Sequence, residues 1–270
     1  MTIENNYENI YILEKIYEVE YNPSRFNIRY DDTDKYILGF TTPIPRKETF
    51  VSKFIKCKTL YDTLVDLDFK IKISLKEALR YSSSKVLKET FNFFDSPSED
   101  EKYAYYYIEN ALFRTASLWD ILAQLYCIHY DVYINKSKVY YNQIFKPNNP
   151  INIKFKDDAR KIYKYLKEKD NTNVSPEWKG NHRFVNRTRN KMIHRNSPNI
   201  ISLSNFDVNI KTYPLTMLKR IVEDYNVVSK FILVIINEIE KDYVKNYLKT
   251  LFPTELDTII SLVTLSKNIL

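Results

Sequence analysis

The stretch from Ser96 to Val132 reads SPSEDEKYAYYYIENALFRTASLWDILAQLYCIHYDV, and its reading decides the fold. Ser96, Pro97 and Glu99 sit as an N-cap, a first helical residue and a third-position acid, a strong helix start. Apolar or small residues then recur at Tyr107, Ala111, Leu118, Ile121, Leu125, Ile128 and Val132, alternating steps of four and three if position 114 is included. The spacing predicts one helix of about 35 residues, long for a globular protein. Position 114 is Arg114, a charge inside the stripe. A second long helix is expected from Thr212–Pro214, with the stripe Leu215, Leu218, Val222, Tyr225, Ile232, Ile236, Ile239 and Tyr243. Two such helices point to an all-α, elongated antiparallel bundle. Near-heptad stripes also suit packing against a second copy of the chain.

Working outward, spacing of three and four over residues 3–20 predicts a first helix. Alternation at Phe26, Ile28, Tyr30 and then Tyr36, Leu38, Phe40 predicts a small β-hairpin in a connection ending at Pro43 and Pro45. A helix is expected over 47–66, and another from Ser74 to Phe93, because Ser74-Leu75-Lys76-Glu77 has the form of a capping box. A Lys-rich helix is expected near 157–169, a shorter one over 181–196, and a last one after Pro253. The connection 199–213 alternates briefly at Phe206, Val208 and Ile210. The division expected is an N-terminal helical extension, 1–95, and a bundle, 96–270.

Composition excludes several classes. Glycine occurs only at Gly39 and Gly180. Neither GxxxxGK[ST] nor GxGxxG is present, so P-loop and Rossmann nucleotide sites are excluded. The longest apolar run, Phe231 to Ile236, is six residues, against about 20 for a membrane-spanning helix. Glu4, Glu8, Glu14, Glu18 and Glu20 argue against a secretory signal. Cys57 and Cys127 are too few for a disulfide scaffold or zinc cluster and are expected as buried thiols in a reducing cytoplasm. Asp31, Asp32 and Asp34 lack an EF-hand glycine and terminal glutamate and read as a turn. His129 reads as a core or surface residue and His182 as a helix cap. No metal and no cofactor is expected. The excess of Lys, Asn, Ile and Tyr has a bland account in A/T-rich codons.

Charge placement is more telling. The net charge is +7, yet residues 136–195 hold sixteen Lys/Arg against five Asp/Glu, a balance of +11. The remainder holds 25 basic and 29 acidic residues. Such segregation suits a polyanion such as nucleic acid, or else a solvated helix face.

Within that stretch lies Arg189-Asn190-Lys191-Met192-Ile193-His194. On a helix, Phe184, Val185, Thr188 and Met192 form the buried stripe. Arg189 falls at its margin, where a charge needs a partner, an anion or a cleft. Asn190 and His194 lie on the polar side with Arg187 and Lys191. A planar guanidinium to hold a phosphate and an imidazole to move a proton are equipment for phosphodiester chemistry.

This segment resembles the RN-x-x-x-H form of the R-x(4–6)-H motif of the HEPN superfamily, all-α proteins of which many are metal-independent ribonucleases of toxin–antitoxin, abortive-infection and CRISPR-linked systems. Arg114-Thr115-Ala116-Ser117-Leu118-Trp119-Asp120-Ile121-Leu122-Ala123-Gln124 also looks like the long-helix pattern of bacterial HEPN groups. The resemblance covers residues 97–249. It implies a cytoplasmic endoribonuclease of a toxin or phage-defence system that cleaves RNA by 2′-OH transesterification, with His194 as acid or base, Arg189 on the phosphate and Asn190 orienting His194 or the phosphate. Arg187, Lys191 and Arg195 would contact phosphates, with Arg114 and Asp120 in support. The working unit would be a homodimer, with an antitoxin or regulatory protein as a further partner. Arg187 also falls within the motif's spacing, and Asn196 stands where some HEPN toxins carry an aromatic residue. The competing readings are a catalytically inert nucleic-acid- or nucleotide-binding module and a dimeric interaction protein. In these, His194 caps its helix C-terminus and Arg189 pairs with a facing carboxylate such as Asp120.

Overall fold

The computed structural model describes residues 3–26, 50–132, 141–147, 156–171, 178–194, 196–203 and 208–251. These form eight helices and one pair of two-residue strands, an all-α bundle. The helices are α1 (Ile3–Ile16), α2 (Phe50–Ser82), α3 (Lys85–Thr90), α4 (Glu99–His129), α5 (Tyr141–Ile144), α6 (Lys156–Lys167), α7 (Asn181–His194) and α8 (Pro214–Leu251). Strands β1 (Ser202–Leu203) and β2 (Val208–Asn209) pair antiparallel between α7 and α8. The hairpin expected in the connection after residue 26, the acidic turn at 31–34 and the helix after Pro253 lie outside the described residues.

Three long helices carry the bundle. Lys53 pairs with Asp131 just beyond the C-terminal end of α4, whereas Tyr81 stacks on Tyr103 and Tyr107 near its start, so α2 and α4 run antiparallel. Phe54 stacks on Tyr243 while Asp68 accepts from Tyr225, so α2 is antiparallel to α8 as well. The three enclose one core, which runs from Ile12 through Leu64, Leu118 and Val185 to Ile239. It crosses residue 95 without a break, because α2 packs against both α4 and α8. Both cysteines are buried and neither forms a disulfide, and burial pushes the Cys127 thiol up to about 11.

Two helix boundaries depart from expectation. The helices expected over 47–66 and 74–93 are one helix through residue 82, followed by the short α3. Ser74 does not cap: its hydroxyl donates to the Lys70 carbonyl at 2.8 Å, one turn back inside α2. The buried residues Tyr61, Leu64, Ile71, Leu75 and Leu79 run through it, so packing carries the helix past the local stop signal. The cap of α4 is Ser98, two residues beyond Ser96, with its oxygen accepting from the Glu101 amide at 3.3 Å. Glu99, Asp100 and Glu101 then sit at the positive end of the helix dipole. The α4 seam also centres elsewhere, on Ala104, Ile108, Ala111, Thr115, Leu118, Leu122 and Leu125. Tyr107 and Arg114 fall at its margin, and Arg114 donates to both the carbonyl and the side chain of Asn110, each at 2.9 Å.

Candidate functional site

The site is built on α7, and the entry to α7 is fixed by a glycine. Gly180 has φ of +68°, and a β-carbon there would lie 2.5 Å from the Asp170 amide nitrogen. Only glycine suits both the left-handed backbone and that close approach. Its own amide donates to Glu168 at 2.9 Å, closing the turn from α6.

Beneath α7, Asp224 of α8 is fully buried. Its carboxylate accepts from the Trp119 indole at 3.2 Å and the Tyr165 hydroxyl at 3.1 Å, and lies 3.4 Å from Nδ1 of His182. The other ring nitrogen of His182 is 3.2 Å from the Tyr141 hydroxyl. With the carboxylate favouring a proton on Nδ1, Nε2 accepts from Tyr141. One carboxylate thus ties α4, α6 and α7 to α8, and α5 through the imidazole. Beside it, the buried Arg220 donates to Asn181 at 2.9 Å and the Lys179 carbonyl at 3.0 Å, and pairs with Asp170 at 2.9 Å. His182, expected as a helix cap, is instead a core residue between a carboxylate and a phenol. The signal was present: on α8, Asp224 and Arg220 fall between Leu218, Ile221, Val222 and Val228, charges on an apolar arc. Such charges persist only where partners meet them.

α7 presents two different faces. On the outer face, Arg187 and His194 are seven residues apart, which at about 100° per residue brings them within about 20° of one another, with Lys191 between them in the chain. Arg187 and His194 are exposed, as is Asn190. Arg187 and Lys191 line a groove of 290 Å³ with Phe184, Thr188, Asn209 and Met217. Arg187 is held by Asp170 at 2.8 Å, and Lys191 donates to the Asn209 side chain at 2.7 Å, which ties α7 to the hairpin. Arg195 lies outside the described residues.

Arg189 is not on that face. Five residues from His194, it lies about 140° away around the helix. It is half-buried toward α4, donates to Asn190 Oδ1 at 3.3 Å, and among the described residues its buried Nε meets no hydrogen-bond partner. Asp120 on α4 is half-buried too. Burial holds its carboxyl above the usual aspartate range, and the charge of Arg189 partly opposes this. Burial also pushes the neighbouring Tyr141 hydroxyl up to about 12, again against the influence of Arg189. Asp120 and Arg189 therefore sense one another without forming an ion pair. Arg114, on the same helix, bonds to Asn110 rather than to Asp120.

The Lys-rich α6 presents Lys161, Lys164 and Lys167 to solvent. No three His, Cys, Asp or Glu side chains converge among the described residues. No described helix is long and apolar enough to cross a membrane. The chain matches no family model, no curated protein and no solved structure.

Proposed function

We propose that the chain is a metal-independent endoribonuclease of the HEPN kind, a cytoplasmic toxin or phage-defence enzyme cleaving RNA by attack of a ribose 2′-OH. The observation that carries this reading is the outer face of α7, where Arg187 and Lys191 line a groove and His194 stands exposed on the same side of the helix. Cations there neutralise phosphates, and an exposed imidazole on that side moves a proton to or from the scissile group. Arg189 stabilises charge on the phosphorus oxygens, and Asn190, its hydrogen-bond partner, orients it.

Arg189 and His194 face different sides within one chain, so the reading requires a second copy. A two-fold axis beside the C-terminal turn of α7 would let His194 of each chain face Arg189 of the other. Ile193, Leu203 and Val208, exposed by 55%, 67% and 65%, supply apolar surface for that contact. An antitoxin or another regulatory protein would occupy the same surface to hold the enzyme quiet.

The test is cleavage of single-stranded RNA in EDTA, with His194→Ala abolishing cleavage and leaving RNA binding nearly intact. Cleavage that stops on chelation in the wild-type protein would sink the metal-independent reading. The second reading is an inert nucleic-acid-binding module. It is favoured by the engagement of Arg187 with Asp170 and by the separation of Arg189 from His194. It predicts that wild type and His194→Ala bind RNA alike and that neither cleaves it.

A further inference from the structure

The groove beside α7 offers more than positive charge. Its volume is 290 Å³, at the small end of ligand pockets, and its walls come from α7, the 196–198 segment, β2 and the entry to α8. The walls are tied together. Buried Asn209 donates through Nδ2 to the carbonyls of Ser197, at 3.2 Å, and of Ile200, and accepts from Lys191 at 2.7 Å. Three kinds of surface meet inside this frame. Phe184, Pro198 and Met217 supply a buried apolar lining. Thr188, Asn196 and Thr212 are half-buried, and each can both donate and accept. Arg187 and Lys191 bring charge from α7, and no carboxylate is among the described residues that line the groove. The Asp170 carboxylate is shared between Arg220 at 2.9 Å and Arg187 at 2.8 Å, so two guanidiniums divide one negative charge. The surplus positive charge falls at Arg187, whose side chain is 60% exposed.

An occupant must answer all three surfaces. A phosphate alone meets the cations and leaves the apolar lining to water. An aliphatic acid covers that lining but strands the hydroxyls and the amide against carbon, which is costly. A nucleotide supplies an anion, apolar ring faces and a base edge of alternating donors and acceptors, the edge that Asn and Thr side chains read. Single-stranded RNA is recognised in this way, by bases turned out of the stack into pockets. We propose that the groove is a nucleotide subsite that selects a base: Arg187 and Lys191 hold the phosphate, Phe184, Pro198 and Met217 cover the ring, and Thr188, Asn196 and Thr212 read its edge. Asn209 is a positioning residue, since its amide is spent on the frame. The subsite deepens the reading of this groove as an RNA site, active or inert, by assigning the residues that set sequence preference.

The experiment measures binding of labelled ribo-tetranucleotides of each of the four bases by fluorescence anisotropy, in a lithium buffer that keeps the guanosine strand single. A His194→Ala background keeps the strands intact. One base should bind about tenfold tighter than the weakest, the scale of a discriminating hydrogen-bond pair. The free 5′-monophosphate of that base should displace its strand, and inorganic phosphate at the same concentration should not. Thr188→Phe fills the groove without touching a cation, so it should bring the four affinities together and leave the salt dependence intact. Thr212→Val keeps the shape, loses the hydroxyl and should narrow the preference. Equal affinities in the parent, or a preference that survives both variants, would overturn the subsite while leaving RNA binding in place. Displacement by inorganic phosphate as effective as by the monophosphate would overturn it too, leaving a bare anion contact. Displacement by a Glu/Leu peptide of equal charge, and not by the monophosphate, would make this a peptide groove instead. A protein that binds the monophosphate but no strand would keep the pocket, assign it a free nucleotide and overturn the RNA reading. Failure to bind either would overturn both.

Discussion

At the scale of single residues, Asp224 is the side chain on which most depends. Its carboxylate answers Trp119, Tyr165 and His182 in the core, so its removal orphans three polar groups together. Asp224→Ala should cost about 3–5 kcal/mol in denaturant unfolding, the range for breaking a buried charged pair from one side. A loss below about 1 kcal/mol would mean the network is replaceable by water. Asp120 offers a test with a definite sign. Burial raises its carboxyl in the folded chain, and Arg189 on α7 is the charged group that opposes the shift. A raised carboxyl favours folding below its unfolded value, and that contribution is lost as pH rises through the folded value. Asp120→Asn should therefore unfold at a higher temperature than wild type at neutral pH, with the difference vanishing below about pH 4. A variant less stable than wild type at neutral pH would show that the attraction of Arg189 outweighs burial.

At the scale of elements, the two serines that read alike in sequence separate cleanly. Ser98 caps α4 and Ser74 lies mid-helix in α2. Ser98→Ala should cost about 1 kcal/mol, the usual loss for an N-cap. Ser74→Ala should change stability by less than about 0.5 kcal/mol, since the Lys70 carbonyl keeps its place in the helix ladder. Equal losses at the two positions would restore the helix boundary that the capping-box pattern suggests. The entry to α7 is less forgiving: in Gly180→Ala the new methyl meets the backbone of Lys169 and Asp170. Because α7 carries both Arg189 and His194, that variant should lose RNA binding along with stability.

For the whole molecule, function turns on charge and on copy number. If the basic stretch meets phosphates, RNA affinity should fall steeply with salt, and charge reversal at Lys161, Lys164 and Lys167 on α6 should flatten the slope. An affinity indifferent to salt would leave α6 as a solvated face. The two-copy site makes a sharper demand. Mixed dimers of wild type and His194→Ala should lose well over half the activity per dimer, with solution mass confirming the pairing. A monomer that cleaves RNA at full rate would remove the need for a partner copy.

Much of this architecture was legible without coordinates. Apolar spacing along residues 96–132 and 214–243 sufficed for two long helices and an all-α bundle, because periodicity is a local property of the chain. The same holds for α7 and the Lys-rich α6, and for the concentration of positive charge between residues 136 and 195. What the sequence could not decide is whatever depends on a neighbour distant in the chain. Ser74 satisfies a capping pattern, yet α4 and α8 extend α2 straight through it, since burial of a continuous stripe outweighs one cap. His182 reads as a helix start until Asp224, 42 residues on, and Tyr141, 41 residues back, close around it. Helical arithmetic already separates Arg189 from His194 around their axis. Only the packing of α7 on α4 turns that angle into a difference of environment, with Arg189 half-buried near Asp120 and His194 exposed to solvent. A helix carries its own angular order wherever it goes, but which side is buried, and against what charge, is set by the helices that arrive from elsewhere in the chain.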